Sequence, residues 1–176
     1  MNLSIALRDK LPVKFTRPFE PGSTEGYVFD IGPRFFLMAT FGDGLRFDGF
    51  QCLRPLDVRA LSVPSPHYKV VEAVLRKRRQ RIPRKPRVDL SSLEALLMTA
   101  NKTFSLVTIY RENVNPEVCH IGRVVDACKQ TVSLLEIGPD ALWDEEATLY
   151  SLNEITRVDF GGDYEEGLSI VSRAKK

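Results

Sequence analysis

The sequence has 176 residues, of which 43% are hydrophobic and 27% are charged, and its formal net charge at pH 7 is +2. Such values are typical of globular proteins and exclude a largely disordered chain, a disulfide-rich miniprotein and a polycation. No apolar stretch approaches the roughly 20 residues that cross a bilayer, and the N-terminus has no signal-peptide pattern. Cys52, Cys119 and Cys128 show no disulfide spacing, so we expect small buried side chains in a cytoplasmic protein.

Strand patterns dominate the first half of the chain. Residues 13–16 alternate between apolar and polar, as a half-buried strand does. Residues 25–31 and 35–41 are rich in the Val, Phe and Ile that favour pleated strands. Gly32 and Pro33 between them predict a turn. Asp48-Gly49 predicts a tight hairpin turn, because this pair accommodates the positive φ angles of a type I′ turn.

Three helices are predicted, each with its own start signal. Ser65 and Pro66 begin the first helix, with proline at its first position. Ser91 begins the second, and Glu94 completes a capping box with it. The third begins near Asp163.

The helix ends and the segment between the first two helices have their own signals. Asn101 is expected to end the second helix. Arg173, Lys175 and Lys176 suit the negative end of the dipole of the third helix. Residues 80–87 contain two prolines and four basic residues, which predicts an extended linker.

The second half of the chain repeats the pattern of the first. Residues 26–30 match residues 122–126, about 96 positions later. Residues 53–61 match residues 150–158 with an offset of about 97, so the intervening hairpin has gained one residue. The corresponding strands are predicted over residues 104–110, 118–127, 131–137, 148–152 and 155–160.

These elements predict a mainly β protein with helices, built from two small five-stranded barrels that are each followed by a helix. Residues 1–80 form the first barrel and its helix. Residues 81–88 form a basic, proline-containing linker, and residues 89–176 form a helix, the second barrel and a C-terminal helix.

Two short motifs resemble a known family. Residues 53–61, Leu-Arg-Pro-Leu-Asp-Val-Arg-Ala-Leu, resemble the second signature of Sm-like (LSm) proteins, and residues 26–30 resemble part of the first. The helix predicted over residues 91–100 is similar to the one that precedes an Sm-like barrel. The resemblance covers most of residues 10–62 and 102–160. The chain as a whole resembles uncharacterised bacterial proteins with two such barrels. This resemblance implies two SH3-like barrels.

The RNA-binding pocket of that family is largely missing. Sm proteins use an Asn of the first signature and an Arg-Gly pair of the second. Here Arg54 is followed by Pro55, and the second copy has Ser151 and Leu152 at these positions. Neither copy of the first signature contains Asn. The resemblance therefore implies the fold more than a uridine pocket.

The strongest charge feature is a run of eight basic residues within residues 76–87 that contains no acidic residue. Such a run neutralises phosphates and binds nucleic acid in a salt-dependent manner, but it has no aromatic residue on which bases can stack. The alternative interpretation is a solvated helix end and linker, or a protein contact. The residues of the nucleic-acid hypothesis are Arg54, Arg76, Lys77, Arg78, Arg79, Arg81, Arg84, Lys85 and Arg87.

The second half carries the opposite charge. Nine acidic residues lie within residues 140–166, where Arg157 is the only basic residue. We expect the basic and acidic regions to attract each other across an interface between the halves or between copies. A Trp beside acids is also a candidate anchor for a partner, although it can simply cover the end of a barrel. The residues of this partner hypothesis are Trp143, Asp144, Glu145 and Glu146.

Signals of catalysis are weak. The two histidines are His67 and His120. Cys119 adjoins His120, but neighbours on a strand face opposite sides and do not form a dyad. Paired zinc-ligand spacings, a nucleophile elbow and a phosphate-binding loop are all missing from the sequence. Gly42-Asp43-Gly44 and Gly161-Gly162 are interpreted as turns. From these observations together we expect no enzyme activity, no cofactor and no metal.

Together these patterns predict a non-catalytic interaction or regulatory module that acts through its barrel surfaces. It would bind a protein partner or itself, with no membrane attachment. Exposed strand edges offer a natural route to self-association. The alternative is an RNA- or DNA-binding protein that uses residues 76–87.

Overall fold

A computed structural model describes residues 3–42 and 44–172. Asp43 of one predicted turn, and Arg173, Lys175 and Lys176 of the last predicted helix end, lie outside the described residues. The elements of the N-terminal half are α1 (Leu3–Asp9), β1 (Pro12–Thr16), β2 (Thr24–Ile31), β3 (Phe36–Phe41), β4 (Phe47–Leu53), a 3₁₀ turn (Pro55–Asp57), β5 (Arg59–Ser62) and α2 (Tyr68–Lys77).

The C-terminal half has the same succession of elements. None of the described helices is long and apolar enough to cross a membrane. The elements are α3 (Leu93–Thr103), β6 (Val107–Tyr110), β7 (Cys119–Ala127), β8 (Thr131–Glu136), β9 (Thr148–Ser151), β10 (Arg157–Phe160) and α4 (Asp163–Val171).

The ten strands of the described residues form one open antiparallel sheet in the order β5-β1-β2-β3-β4-β10-β6-β7-β8-β9. Each half contributes five neighbouring strands in equivalent order, and the halves meet where β4 pairs with β10. The mainly β character agrees with the sequence analysis, but the prediction of two closed five-stranded barrels is wrong. The first half does not close because β4 pairs with β10 of the other half instead of β5 of its own.

The two halves share a strand irregularity at matching positions. In β2 the register with β3 shifts between Val28 and Asp30. In β7 the register with β8 shifts between Val124 and Asp126. Such bulges bend a strand and increase its twist, so the second strand of each half bends at the same place.

Gly26 and Gly122 mark a second shared feature. A Cβ on Gly26 would lie 2.0 Å from the carbonyl oxygen of Ala39. A Cβ on Gly122 would lie 2.2 Å from the carbonyl oxygen of Leu135. Neither distance is compatible with a side chain, so the close approach of the second and third strands needs glycine in both halves.

Equivalent helices cover equivalent faces of the sheet. The largest core packs α3 against the strands of the C-terminal half and continues into the N-terminal half through Leu37 and Cys52. A second core packs α1 against β1, β2 and β3. Smaller clusters hold α2 through Val71 and Leu75, and α4 through Leu168.

Helix boundaries differ from several predictions. The helix α1 was not predicted. The first predicted helix begins at Tyr68, after His67, instead of at Ser65. The N-cap of α3 is Ser92, whose hydroxyl accepts a hydrogen bond from the Ala95 amide at 3.1 Å.

Asn101 does not end α3. The helix continues to Thr103. The Asn101 side chain accepts a hydrogen bond from the Val124 amide at 2.9 Å and donates one to the Val124 carbonyl at 3.2 Å. Asn101 therefore ties α3 to the bent part of β7.

The hairpin turn predicted at Asp48-Gly49 is wrong, because both residues lie inside β4. Gly49 has the expected positive φ of 68°. The Asp48 carboxylate accepts a hydrogen bond from the Asp163 amide at 2.9 Å. The pair therefore places β4 against the start of α4 instead of reversing the chain.

Candidate functional site at the junction of the halves and the free edges

Strands β4 and β10 join the two halves. Cys52 lies opposite Val158, and Phe50 lies opposite Phe160. Cys52, Val158 and Phe160 are fully buried, and the rings of Phe50 and Phe160 stack with centroids 6.0 Å apart. Main-chain pairing and apolar contact thus act together at this junction.

A buried ion pair also crosses the junction. Arg17 follows β1 and Glu112 follows β6, and their side chains are 0% and 4% exposed. The guanidinium donates two hydrogen bonds to the carboxylate, one of them at 2.9 Å. The Thr156 hydroxyl donates a third bond to Glu112 at 2.6 Å. Such hydrogen bonds offset the desolvation of a buried pair, and within this pair only the Nε of the Arg17 guanidinium has no partner among the described residues.

Glu20 extends this pair into a network. One carboxylate oxygen accepts from Arg17 at 3.4 Å and the other accepts from Arg157 at 3.2 Å. Arg157 also donates to Asp159 at 2.8 Å, and the Gln51 amide donates to Asp159 at 3.3 Å. The network connects residues of both halves and fixes how they meet.

Burial shapes the titration of two groups in this network. It raises the pKa of the Asp159 carboxyl above its usual range, although Arg157 opposes the shift. Burial also raises the pKa of Tyr110, and the Arg157 guanidinium lies 4.4 Å above its ring. The Arg157 guanidinium holds the Asp159 carboxyl by hydrogen bonds and lies over the Tyr110 ring. These contacts fix β6 and β10 relative to each other.

An open cleft of about 390 Å³ lies beside the network. The Cys119 thiol lines it, and partial burial against the cleft wall raises the pKa of this otherwise exposed thiol, which disfavours the nucleophilic thiolate. Within residues 3–42 and 44–172 no group of three His, Cys, Asp or Glu side chains is placed to hold a metal. The charged lining residues are Glu20, Asp48, Arg157, Asp159 and Glu165.

A second polar cluster, which was not predicted, ties β9 to β7 and β8. His120 Nδ1 lies 3.0 Å from the Glu136 carboxylate and 2.8 Å from the Tyr150 hydroxyl, which donates to Glu136. Burial and the bond to Glu136 raise the pKa of Tyr150. The Arg111 guanidinium lies 4.8 Å above the Tyr150 ring. The alternation of apolar and polar residues in the sequence predicts strands at these positions. It does not predict the register between strands, which brings the three side chains together.

The predicted nucleic-acid residues separate into two groups. All eight basic residues within residues 76–87 are exposed. Arg54 is buried, and its guanidinium donates two hydrogen bonds to Asp57, at 2.6 and 3.0 Å. Arg54 therefore does not belong to the basic surface.

The basic segment does not hold the halves together. Its Lys85 pairs with Asp30 in β2, and Arg78 donates to the carbonyl of Gly44. In the part of the chain that the structure describes, none of its residues pairs with the acidic residues of the second half. The expected attraction within the chain is replaced by the buried network at the junction.

Trp143 packs beside the end of β8 and against α4. It forms an isolated β-bridge with Ile137 and packs in the cluster of Leu168 on α4. The Arg123 guanidinium lies 4.5 Å above its ring. Trp143 is half-buried, whereas the neighbouring Asp144, Glu145 and Glu146 are exposed. Trp143 is therefore only partly accessible beside the three exposed acids, and its role as a partner anchor stays a prediction.

The three cysteines differ from the expectation that all are buried. Cys52 is buried, and Cys119 and Cys128 are exposed. Hydrogen bonding to the Thr131 hydroxyl lowers the pKa of the Cys128 thiol. Cys128 is therefore the more acidic of the two exposed thiols.

The two outer strands leave one side unpaired. Among the described residues β5 pairs only with β1, and β9 pairs only with β8. Leu149 on β9 is 69% exposed. It occupies the position in β9 that Cys52, which is fully buried, occupies in β4.

The comparisons with known proteins add no relative. The scan against protein-family models found no match, and neither did the searches of curated proteins and of solved structures.

Proposed function

We propose that this protein is a non-catalytic assembly module, which joins further copies of itself through the free edges of β5 and β9. The observation that carries the proposal is the β4–β10 pairing inside the chain. By the repeat, β9 is the equivalent of β4, and β5 is the equivalent of β10. The chain thus already contains one example of the junction that β9 can form with β5 of another copy.

The exposed side chain of Leu149 fits this junction. At the internal junction Cys52 lies opposite Val158, and both belong to the core beneath α3. The equivalent residues are Leu149 on β9 and Leu61 on β5. Leu61 packs against the core beneath α1. Pairing between copies therefore moves Leu149 from water to the core beneath α1 of the next copy.

Each copy carries one β9 edge and one β5 edge, so the association is head to tail. A head-to-tail interface produces a ring when its rotation closes and a filament when it does not. Unpaired edges are otherwise a liability that proteins block with lysine, proline or a covering element. Leu149 does the opposite, because it places an apolar side chain on the edge.

The test compares two substitutions of an exposed apolar residue by lysine. Leu149→Lys places a charge on the β9 edge. Val125→Lys makes the same change on β7, an interior strand on which Val125 is 59% exposed. Sedimentation velocity at several concentrations should show oligomers for the wild type and Val125→Lys, and monomers for Leu149→Lys. A wild type that stays monomeric, or equal association of both variants, would contradict the proposal.

A further inference from the structure

The basic segment, residues 76–87, joins the end of α2 to the approach to α3. Its first two residues are the last two of α2, which ends at Lys77, and the chain then has no helix or strand until Leu93. All of its eight basic side chains are exposed. The proposed assembly through β5 and β9 makes no use of it.

Exposure along the segment has a period of three. Gln80, Pro83 and Pro86 are half-buried, whereas every other residue within residues 79–87 is exposed. A polyproline II helix has three residues per turn, and proline favours it. The segment therefore lies on the protein along one row of side chains and presents its other two rows to solvent.

Three arginines share one of these outward rows. Arg81, Arg84 and Arg87 are spaced by three positions. At a rise of about 3.1 Å per residue, the Cα atoms of Arg81 and Arg84 are about 9 Å apart, and the chain bends at Arg87, where the Val88 amide donates to the Pro86 carbonyl at 3.0 Å. Because the prolines fix φ, the backbone of the segment loses little conformational entropy when it meets a ligand.

Little of this charge is neutralised by the protein. In the described residues Lys85 pairs with Asp30, and that is the only ion pair of the segment. Arg81, Arg84 and Arg87 make no side-chain contact with a carboxylate there. The row thus presents free guanidinium groups, which suit phosphate well.

We propose that Arg81, Arg84 and Arg87 bind the phosphate backbone of a nucleic acid without reading its sequence. A nucleic-acid strand supplies a continuous line of negative charge, one for about every 3.4 Å in duplex DNA. The segment has no aromatic residue for base stacking. It also lacks the Trp or Tyr anchors of protein interfaces, and Ile82 is its only exposed large apolar side chain.

The experiment titrates a short, fluorescently labelled single-stranded RNA of mixed sequence with the full chain at several salt concentrations. The variant is Arg81→Ala/Arg84→Ala/Arg87→Ala. Its matched control removes three exposed basic residues outside the segment, as Arg34→Ala/Lys102→Ala/Lys129→Ala. Circular dichroism checks that both variants fold.

The wild type should bind more weakly as salt rises from about 50 to 200 mM. The triple arginine variant should lower the slope of log K against log salt by about 2, since each lost phosphate contact removes about 0.7. The control should keep most of the wild-type slope. An RNA of a different base composition should bind equally.

Three results would overturn the proposal. The first is no binding at the lowest salt, and the second is an equal loss of slope in both triple variants. The third is binding of polyglutamate as tight as that of RNA, which would assign the row to an acidic protein. Loss of association in Leu149→Lys with RNA binding retained would separate this proposal from the assembly proposal.

Discussion

Arg17 and Glu112 form a bidentate, buried ion pair although they are 95 residues apart in the chain. Each follows the first strand of its half, so nearly equivalent positions of the repeat carry opposite charges. Two identical halves could not make this pair. The difference between the halves therefore orients one against the other at the junction.

Removing one partner of this pair should cost more stability than removing both. Arg17→Met or Glu112→Leu leaves an uncompensated buried charge, and we expect each to cost about 3–5 kcal/mol. The double variant leaves two apolar side chains and should cost less than either single variant. Urea unfolding of the three variants measures this, and additive losses would show that the two residues act independently.

Alkaline pH should destabilise the protein through Tyr110. Its folded-state pKa is raised above the ordinary value of 10.0, chiefly by burial. The neutral phenol therefore stabilises the fold fully below about pH 10, and this contribution is lost as pH rises further. In Tyr110→Phe the free energy of unfolding should fall less steeply above pH 10. Equal slopes in wild type and variant would argue against a buried neutral Tyr110.

The two close-approach glycines should not tolerate alanine. Gly26→Ala and Gly122→Ala force a Cβ onto a carbonyl oxygen of the neighbouring strand, and we expect each to cost about 3 kcal/mol. Gly167→Ala is the matched control on α4, where an added Cβ meets nothing within 4 Å. It should stabilise by up to about 1 kcal/mol. Thermal unfolding decides, and a neutral Gly26→Ala would contradict the close approach.

Local patterns identified most strands, because alternation and β-branched residues are properties of short segments. They also exposed the repeat through Gly26 and Gly122. The closed barrels were wrong because closure depends on whether β4 pairs with β5 or with β10, and no local pattern encodes that choice. Asp48-Gly49 shows the same limit, since its positive φ serves a contact with α4.

The candidate site was harder to predict. The exposure of the basic segment followed from its charge and prolines. Arg54 was assigned to a surface because of its place in a motif, but Asp57, three residues later, binds it in a buried pair. No local sequence pattern indicates the network of Arg17, Glu20 and Glu112, because strand pairing between the two halves brings these residues together.

The most direct test of assembly through the edges is a mixing experiment. Leu61→Lys places a charge on β5 at the half-buried position that faces Leu149 in the proposed junction, and Leu149→Lys places one on β9. Each variant alone should be monomeric, because each has lost one edge of every junction. Mixed together they retain one intact β9 and one intact β5, so sedimentation velocity should show a one-to-one dimer that cannot grow. A mixture that remains monomeric, or that forms larger species, would contradict head-to-tail pairing of β9 with β5.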